Sequence, residues 1–252
     1  EFTGYRGATT NITTSKLDRE NMFRLATTDH LTGLLNRARF GEELDRTLSL
    51  AKRHKSQGVL LFIDLDQFKS VNDTYGHDAG DALIRSVAEV LGDNVRSTDI
   101  VARLGGDEFG IIMHNIDVNR AKVKVQKIIN KLDALRVPYN GVTIHCTMSI
   151  GMIPYPQEER DSTGLLLSAD LAMYRAKADM TCNVCQFSEE MDRQSREKLQ
   201  LVQDLRRASA AGEFELAYQF QNDLNSLEPV GFEVLLRWNH PTRGRVKPDE
   251  FI

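Results

Sequence analysis

Two glycines followed by two acids, Gly105-Gly106-Asp107-Glu108, interrupt an otherwise apolar stretch. Ile100-Val101-Ala102 lies before them and Phe109-Gly110-Ile111-Ile112-Met113 after. A short glycine-containing break between two β-prone runs predicts a β-hairpin, which forces both runs into one sheet. Glycine permits φ > 0 and lets a backbone or a phosphate approach closely. The two acids are then expected at the hairpin tip, exposed and fixed in place. Adjacent carboxylates repel, so the pair points to a solvated turn or to a bound cation. On its own the four-residue string decides neither.

The chain has 252 residues, enough for one large domain or one domain with pieces of others. Its hydrophobic content of 41% supports a sizeable core, and its net charge of −4 excludes a dominant nucleic-acid-binding surface. Apolar runs are short, Val59 to Ile63 among the longest, so neither a membrane span nor a signal peptide is expected. Three cysteines, Cys146, Cys182 and Cys185, are too few and too sparse for a disulfide framework and fit a reducing compartment. Cys182 and Cys185 have the spacing of half a zinc site, but no second pair completes it.

Hydrophobic periodicity places the elements. A helix is expected from residue 14 or 15 to about 28, either a pairing stalk or a solvated linker. Asn36 is placed to cap a helix reaching about Lys55, with Phe40, Leu44, Leu48 and Ala51 on its buried face. Gly58 to Ile63 reads as a buried strand ending at Asp64-Leu65-Asp66. A helix from about Asp78 to Leu91 buries Leu83, Val87 and Leu91, and another over 117–135 buries Ala121, Val125, Ile128 and Leu132. Val142 to Ile150 alternates apolar and polar residues and reads as one continuous strand, with His145 on its solvated face. A helix over 163–178 carries Leu167, Leu171 and Tyr174, and Val184 to Phe187 is a short closing strand. The result is an α+β sandwich, a mostly antiparallel central sheet covered by helices. Residues 188–212 make a charged helix, and strands near 214–220 and 230–238 begin a new unit.

If the strands ending at Asp64 and bordering Asp107 and Glu108 are neighbours, three carboxylates meet at one edge. Such an all-oxygen set suits Mg²⁺ or Mn²⁺, which commonly completes its shell with phosphate oxygens. A nucleotide polyphosphate is then the implied substrate. The plain alternative is that Asp64 is an ordinary strand-end acid.

Arg103 to Gly110 resembles the motif of the GGDEF family of diguanylate cyclases. Asp29-His30-Leu31-Thr32-Gly33-Leu34-Leu35-Asn36-Arg37 looks like that family's domain start. Phe62 to Lys69, Asn72 to Asp81 and Ala169 to Lys177 match further segments in the same order, so the resemblance spans about residues 27–188. It implies a palm-like fold and the condensation of two GTP into cyclic di-GMP and two pyrophosphates, with each domain of a homodimer presenting one GTP. It implies metal ligation by Asp64, Asp107, Glu108 and the carbonyl of Leu65, with Asp107 also a proton acceptor and Asp107 and Glu108 the catalytic pair. Asn72 and Asp81 would bond guanine edges, rejecting adenine. Phe68 and His77 would line the same pocket, His77 being equally suited to capping the next helix. Gly105 and Gly106 would let substrate lie on the hairpin, and Lys69 and Lys177 would meet phosphates. Arg96-Ser97-Thr98-Asp99 resembles the family's inhibitory product site, although the same spacing is often a surface ion pair.

One position departs from the pattern. Thr181 stands where the family usually has an arginine helping the triphosphate. Losing a charge-assisted contact costs roughly 1.5–3 kcal/mol, which points to weak catalysis or to a GTP- or cyclic di-GMP-binding regulatory module. The ends resemble neighbours of such domains. Residues 1–12 look like the end of a PAS-like domain, 13–28 a signalling helix, 29–188 the cyclase domain, 189–212 a linker helix and 213–252 the start of an EAL-type phosphodiesterase domain. Within that last part Glu233 would be a metal ligand. The expected setting is cytoplasmic, with no membrane contact by this stretch; anchoring of a longer protein stays open.

Overall fold

The computed structural model describes residues 22, 24–179 and 182–251. The expected PAS-like end, most of the helix expected over 14–28, and Thr181 lie outside them. The chain divides between Ser188 and Glu189 into two compact units.

The first unit is built on a five-stranded sheet. Asn36 caps α1 (Arg37–His54) by accepting from the Arg39 amide, and Phe40, Leu44, Leu48 and Ala51 are buried as the periodicity predicts. β1 (Gly58–Leu65) is buried along its whole length. Gln67, in the left-handed region at φ 56°, turns the chain into α2 (Phe68–Tyr75). Gly76 separates α2 from α3 (His77–Asp93). β2 (Ile100–Gly105) and β3 (Glu108–His114) form the expected hairpin. α4 (Val118–Asp133) follows, capped by Asp117. β4 (Val137–Tyr139) and β5 (Val142–Ile144) make a separate two-stranded sheet. β6 (Met148–Tyr155), α5 (Ser162–Ala178) and β7 (Val184–Gln186) complete the unit. The strand order is β2-β3-β1-β6-β7, antiparallel except for the parallel β6–β7 pair.

Side-chain alternation on β1 divides the core. Val59, Leu61, Ile63 and Leu65 pack with α3 and α4, whereas Leu60 and Phe62 pack with α1 and α5. Asp64 continues the second series. It therefore emerges on the face covered by α1 and α5.

Two sequence expectations change. The strand expected over 142–150 is broken at 145–147, because β5 pairs with β4 while β6 crosses into the central sheet and runs on to Tyr155. His145 is exposed as expected, but its ring nitrogen also lies 3.0 Å from the Asp133 carbonyl oxygen. The inward face of α5 is also different: Leu167 and Tyr174 are 69% and 65% exposed, and Leu165, Ala169, Ala172, Met173 and Ala176 are buried instead. Close packing selects the small residues. A Cβ on Gly151 of β6 would sit 1.8 Å from the Ala169 carbonyl oxygen, so helix and strand approach backbone to backbone.

The second unit comprises α6 (Glu189–Ala211), β8 (Phe214–Asn222), β9 (Pro229–His240), β10 (Gly244–Val246) and α7 (Pro248–Phe251). Its three strands form a separate antiparallel sheet. Trp238 is fully buried among Phe214, His240 and Phe251, and its indole N–H donates to Glu213. Among the described residues no helix is long and apolar enough to cross a membrane.

Candidate active site

Gly105 and Gly106 adopt φ of 149° and 52°, so the turn needs the backbone freedom that glycine gives. The turn brings Asp107 and Glu108 to the end of β3. There Glu108 stands directly opposite Asp64 in the β1–β3 register. Glu108 alternates with Gly110 and Ile112, so it shares the sheet face of Asp64. Both acids of the turn are half-buried, not exposed as the hairpin reading expects, because the strand ends are covered by α1 and α5.

These carboxylates feel one another. Burial pushes Asp64 upward; Lys177 opposes that, and Asp107 and Asp66 add to it. Burial likewise raises Glu108, opposed by Arg37 and reinforced by Asp170, Asp64 and Asp107. Two cations supply compensation. The Lys177 ammonium, on the last turn of α5, donates to Asp64 Oδ1 at 2.5 Å. Arg37, the first residue of α1, lies 3.6 Å from Glu108. Among the described residues no three His, Cys, Asp or Glu side chains are grouped so as to hold a metal ion. The donor set still has the chemistry of a hard-cation site: carboxylates brought together at one sheet edge, with an ammonium seated on the most buried of them. The expected three-acid cage is thus only partly assembled, since Asp64 and Glu108 each face a basic side chain.

A cavity of about 420 Å³ adjoins Lys177, lined by residues including Asp66, Gln67, Thr147, Ser149 and Asn183. Its wall is braced by Asp66, which accepts from the hydroxyls of Thr147 and Ser149, both at 2.7 Å.

The residues expected to read guanine lie just beyond β1, on α2 and α3. Among the described residues Asn72 Oδ1 is buried with no hydrogen-bond partner, the kind of group that calls for an explanation. Asp81 is half-exposed, 3.9 Å from Arg85. Phe68 packs against the core, and Lys69 and His77 are exposed. His77 does not cap α3: the N-cap is Gly76, without a side-chain bond.

Arg96 and Asp99 lie at the other end of the sheet. Arg96 is exposed, but the Asp99 side chain is only 1% exposed and accepts from the Arg96 amide, the His114 amide and Lys124 Nζ at 3.0, 3.2 and 2.7 Å. Its carboxylate is filled by the protein itself. Glu233, on β9 opposite Gln219, is exposed. The three cysteines are free; burial pushes Cys146 up to about 11.

One supporting group escapes sequence reasoning. Arg103 donates to the Gly106 carbonyl at 3.0 and 2.7 Å and to both oxygens of Asp29 at 3.2 and 3.3 Å. Burial works against the charged form of Asp29, but donors from Thr32 and Arg103 hold it below the usual carboxylate range. Asp29 and Arg103 each begin a family-like segment, Asp29 to Arg37 and Arg103 to Gly110. Their separation by 74 positions hides the contact, which arises because Leu35 bridges to Ala102 of β2.

This α+β sandwich, with acids at the ends of neighbouring central strands, has the palm-like architecture. Residues 26–183 match the family described as diguanylate cyclase, GGDEF domain, and residues 202–252 match the EAL domain. The chain belongs to the GGDEF family. It is 36% identical over 249 residues to the bifunctional diguanylate cyclase/cyclic di-GMP phosphodiesterase MucR of Pseudomonas aeruginosa, covering 97% of this chain and 36% of that protein. It is 33% identical over 249 residues to the cyclic di-GMP phosphodiesterase PdeR of Escherichia coli, covering 96% of this chain and 36% of that protein. It thus spans about a third of the length of the curated relatives it matches. The GGDEF domain of DgcB from Caulobacter crescentus, solved in complex with c-di-GMP, superposes with a TM-score of 0.61 at 31% identity, over 64% of this chain and 95% of that one. The GGDEF domain of PA1120 from Pseudomonas aeruginosa gives 0.63 at 34%, over 67% and 99%.

Proposed function

We propose that the chain is a diguanylate cyclase, condensing two GTP into cyclic di-GMP and two pyrophosphates between the facing domains of a homodimer. The observation that carries this reading is the cross-strand pair Asp64–Glu108, with Asp107 on the glycine turn beside it. Asp64, Asp107, Glu108 and the Leu65 carbonyl would hold Mg²⁺ or Mn²⁺, which when bound offsets triphosphate charge and acidifies the attacking hydroxyl. Asn72 and Asp81 orient guanine, with Phe68 and His77 beside them. Asp81 accepts from N1–H and N2–H₂, which adenine does not offer. Lys69 and Lys177 meet phosphate oxygens, while Gly105 and Gly106 leave room for the nucleotide. The 3′-oxygen of one GTP bonds to the α-phosphorus of the other, pyrophosphate leaves, and the hydroxyl proton passes to Asp107. Repeating the step with the roles exchanged closes the ring.

The test is incubation of the dimeric protein with GTP and Mg²⁺. Cyclic di-GMP is expected, rising steeply with protein concentration. GTP binding without product would instead support a regulatory module controlling an adjoining EAL domain. Thr181 and the engagement of Asp64 by Lys177 favour that second reading.

Product feedback is proposed at the opposite end of the sheet. Arg96 is the reader of guanine there, and Asp99 fixes its loop. Arg96→Ala should relieve inhibition by added cyclic di-GMP; unchanged inhibition would remove this site.

A further inference from the structure

α5 delivers Lys177 to the sheet with little freedom. Its buried face of Ala169, Ala172, Met173 and Ala176 lies against β6, backbone to backbone at Gly151. The last turn therefore stands over the end of β1, where the ammonium donates to Asp64 Oδ1 at 2.5 Å. Asp64 is 8% exposed, so this contact covers one of the few open sides of the carboxylate. The charges of Asp107 and Asp66 also act on the ammonium. It is thus a monovalent cation built into a cluster of acids, half-exposed and free to swing outward on its four-carbon stem.

We infer that Lys177 competes with the divalent cation for Asp64, so that the metal enters fully only when nucleotide phosphates draw the ammonium away. This rests on reading Asp64 as a cation ligand. A dication gains more from clustered carboxylates than an ammonium does, but it loses its waters reluctantly. With Lys177 in place, part of the attraction is already spent. A triphosphate offers the ammonium charge-assisted bonds of its own, and the acids are then left to the metal. Metal and nucleotide binding are coupled through one side chain, which guards the acids against a futile cation.

The test is Mn²⁺ titration of the nucleotide-free full chain, followed by calorimetry and by electron paramagnetic resonance. Lys177→Met and Lys177→Gln should each bind Mn²⁺ about tenfold more tightly than the unsubstituted protein. Circular dichroism checks both folds, and two variants guard against one misfolding. Equal affinity in substituted and unsubstituted protein overturns the inference, as does weaker binding in the variants. Asp64→Asn on the Lys177→Met background should abolish the gain; a gain that persists places the ion elsewhere and overturns it too. GTP turnover is read separately, so failure of the cyclase reading and failure of this competition are distinguishable.

Discussion

Asp64 and Asp99 stand at opposite ends of one sheet, and each is bonded to a lysine from a covering helix. Their surroundings drive them in opposite directions. Burial and the neighbouring acids Asp107 and Asp66 raise Asp64 despite Lys177. Asp99 is buried as well, but Lys124 and the amides of Arg96 and His114 outweigh that and hold it below its ordinary value. One carboxylate is over-supplied with negative charge, the other with donors. A lysine partner alone therefore says little about a carboxylate's role; the remaining neighbours decide whether it is a scaffold or a group kept ready for a ligand.

The sharpest way to break this contrast is at the over-charged end. Asp107→Ala should lower cyclic di-GMP formation below about one thousandth while leaving the circular dichroism spectrum intact. Next comes stability. Asp99→Ala should cost about 3 kcal/mol in urea unfolding, because Lys124 and two amides lose a buried acceptor. Asp64→Asn should leave stability within about 0.5 kcal/mol, or raise it, while product formation is lost. If both substitutions destabilise equally, the two ends do not differ as described.

The pH dependence follows from the same shifts. With a folded pKa below the ordinary 3.8, Asp99 contributes stability that is present above that value and lost as pH falls through the folded one. Asp99→Asn should therefore flatten the acid limb of a thermal-melt profile. Asp64 has the opposite sign: its folded pKa is raised, so its contribution favours the fold at low pH and fades as pH rises through the folded value. A smaller effect is expected at the turn. Arg103→Ala removes donors from Gly106 and Asp29 and should lower turnover about tenfold with GTP binding nearly unchanged, measured as kcat against KM. Smallest of all, Leu167→Ala on the exposed side of α5 should change stability by no more than about 0.5 kcal/mol.

Much of this was legible in residue order. The hairpin follows from Gly105-Gly106 between β-prone runs, and the buried face of α1 from the spacing of Phe40, Leu44, Leu48 and Ala51. The meeting of Asp64 with Glu108 required only that their strands be neighbours. Other features depend on signals outside the pattern being read. The alternation from Val142 to Ile150 is uniform, but the Asn140-Gly141 turn just upstream, both residues at positive φ, folds β5 back onto β4, while β6 pairs with β1 far away in the chain. The large apolar residues of α5 do not mark its inward face, which is chosen by closeness to Gly151 and favours alanines over the larger Leu167 and Tyr174. Asp99 looked like a ligand-facing acid because its three donors come from scattered places: one from its own turn, one from β3 and one from α4.

The strand order has a consequence for timescales. β1 is central and hydrogen-bonded on both sides, to β3 and to β6, so Asp64 rides on backbone that opens only with the whole sheet. The turn carrying Asp107 joins β3 to the edge strand β2, whose ladder shifts register between Arg103 and Gly105. In amide hydrogen exchange the protons of Leu61 to Ile63 should be among the last to leave, and those around Gly106 among the first. The acids then sit on a stationary floor and a breathing rim, and the rim is the part free to adjust.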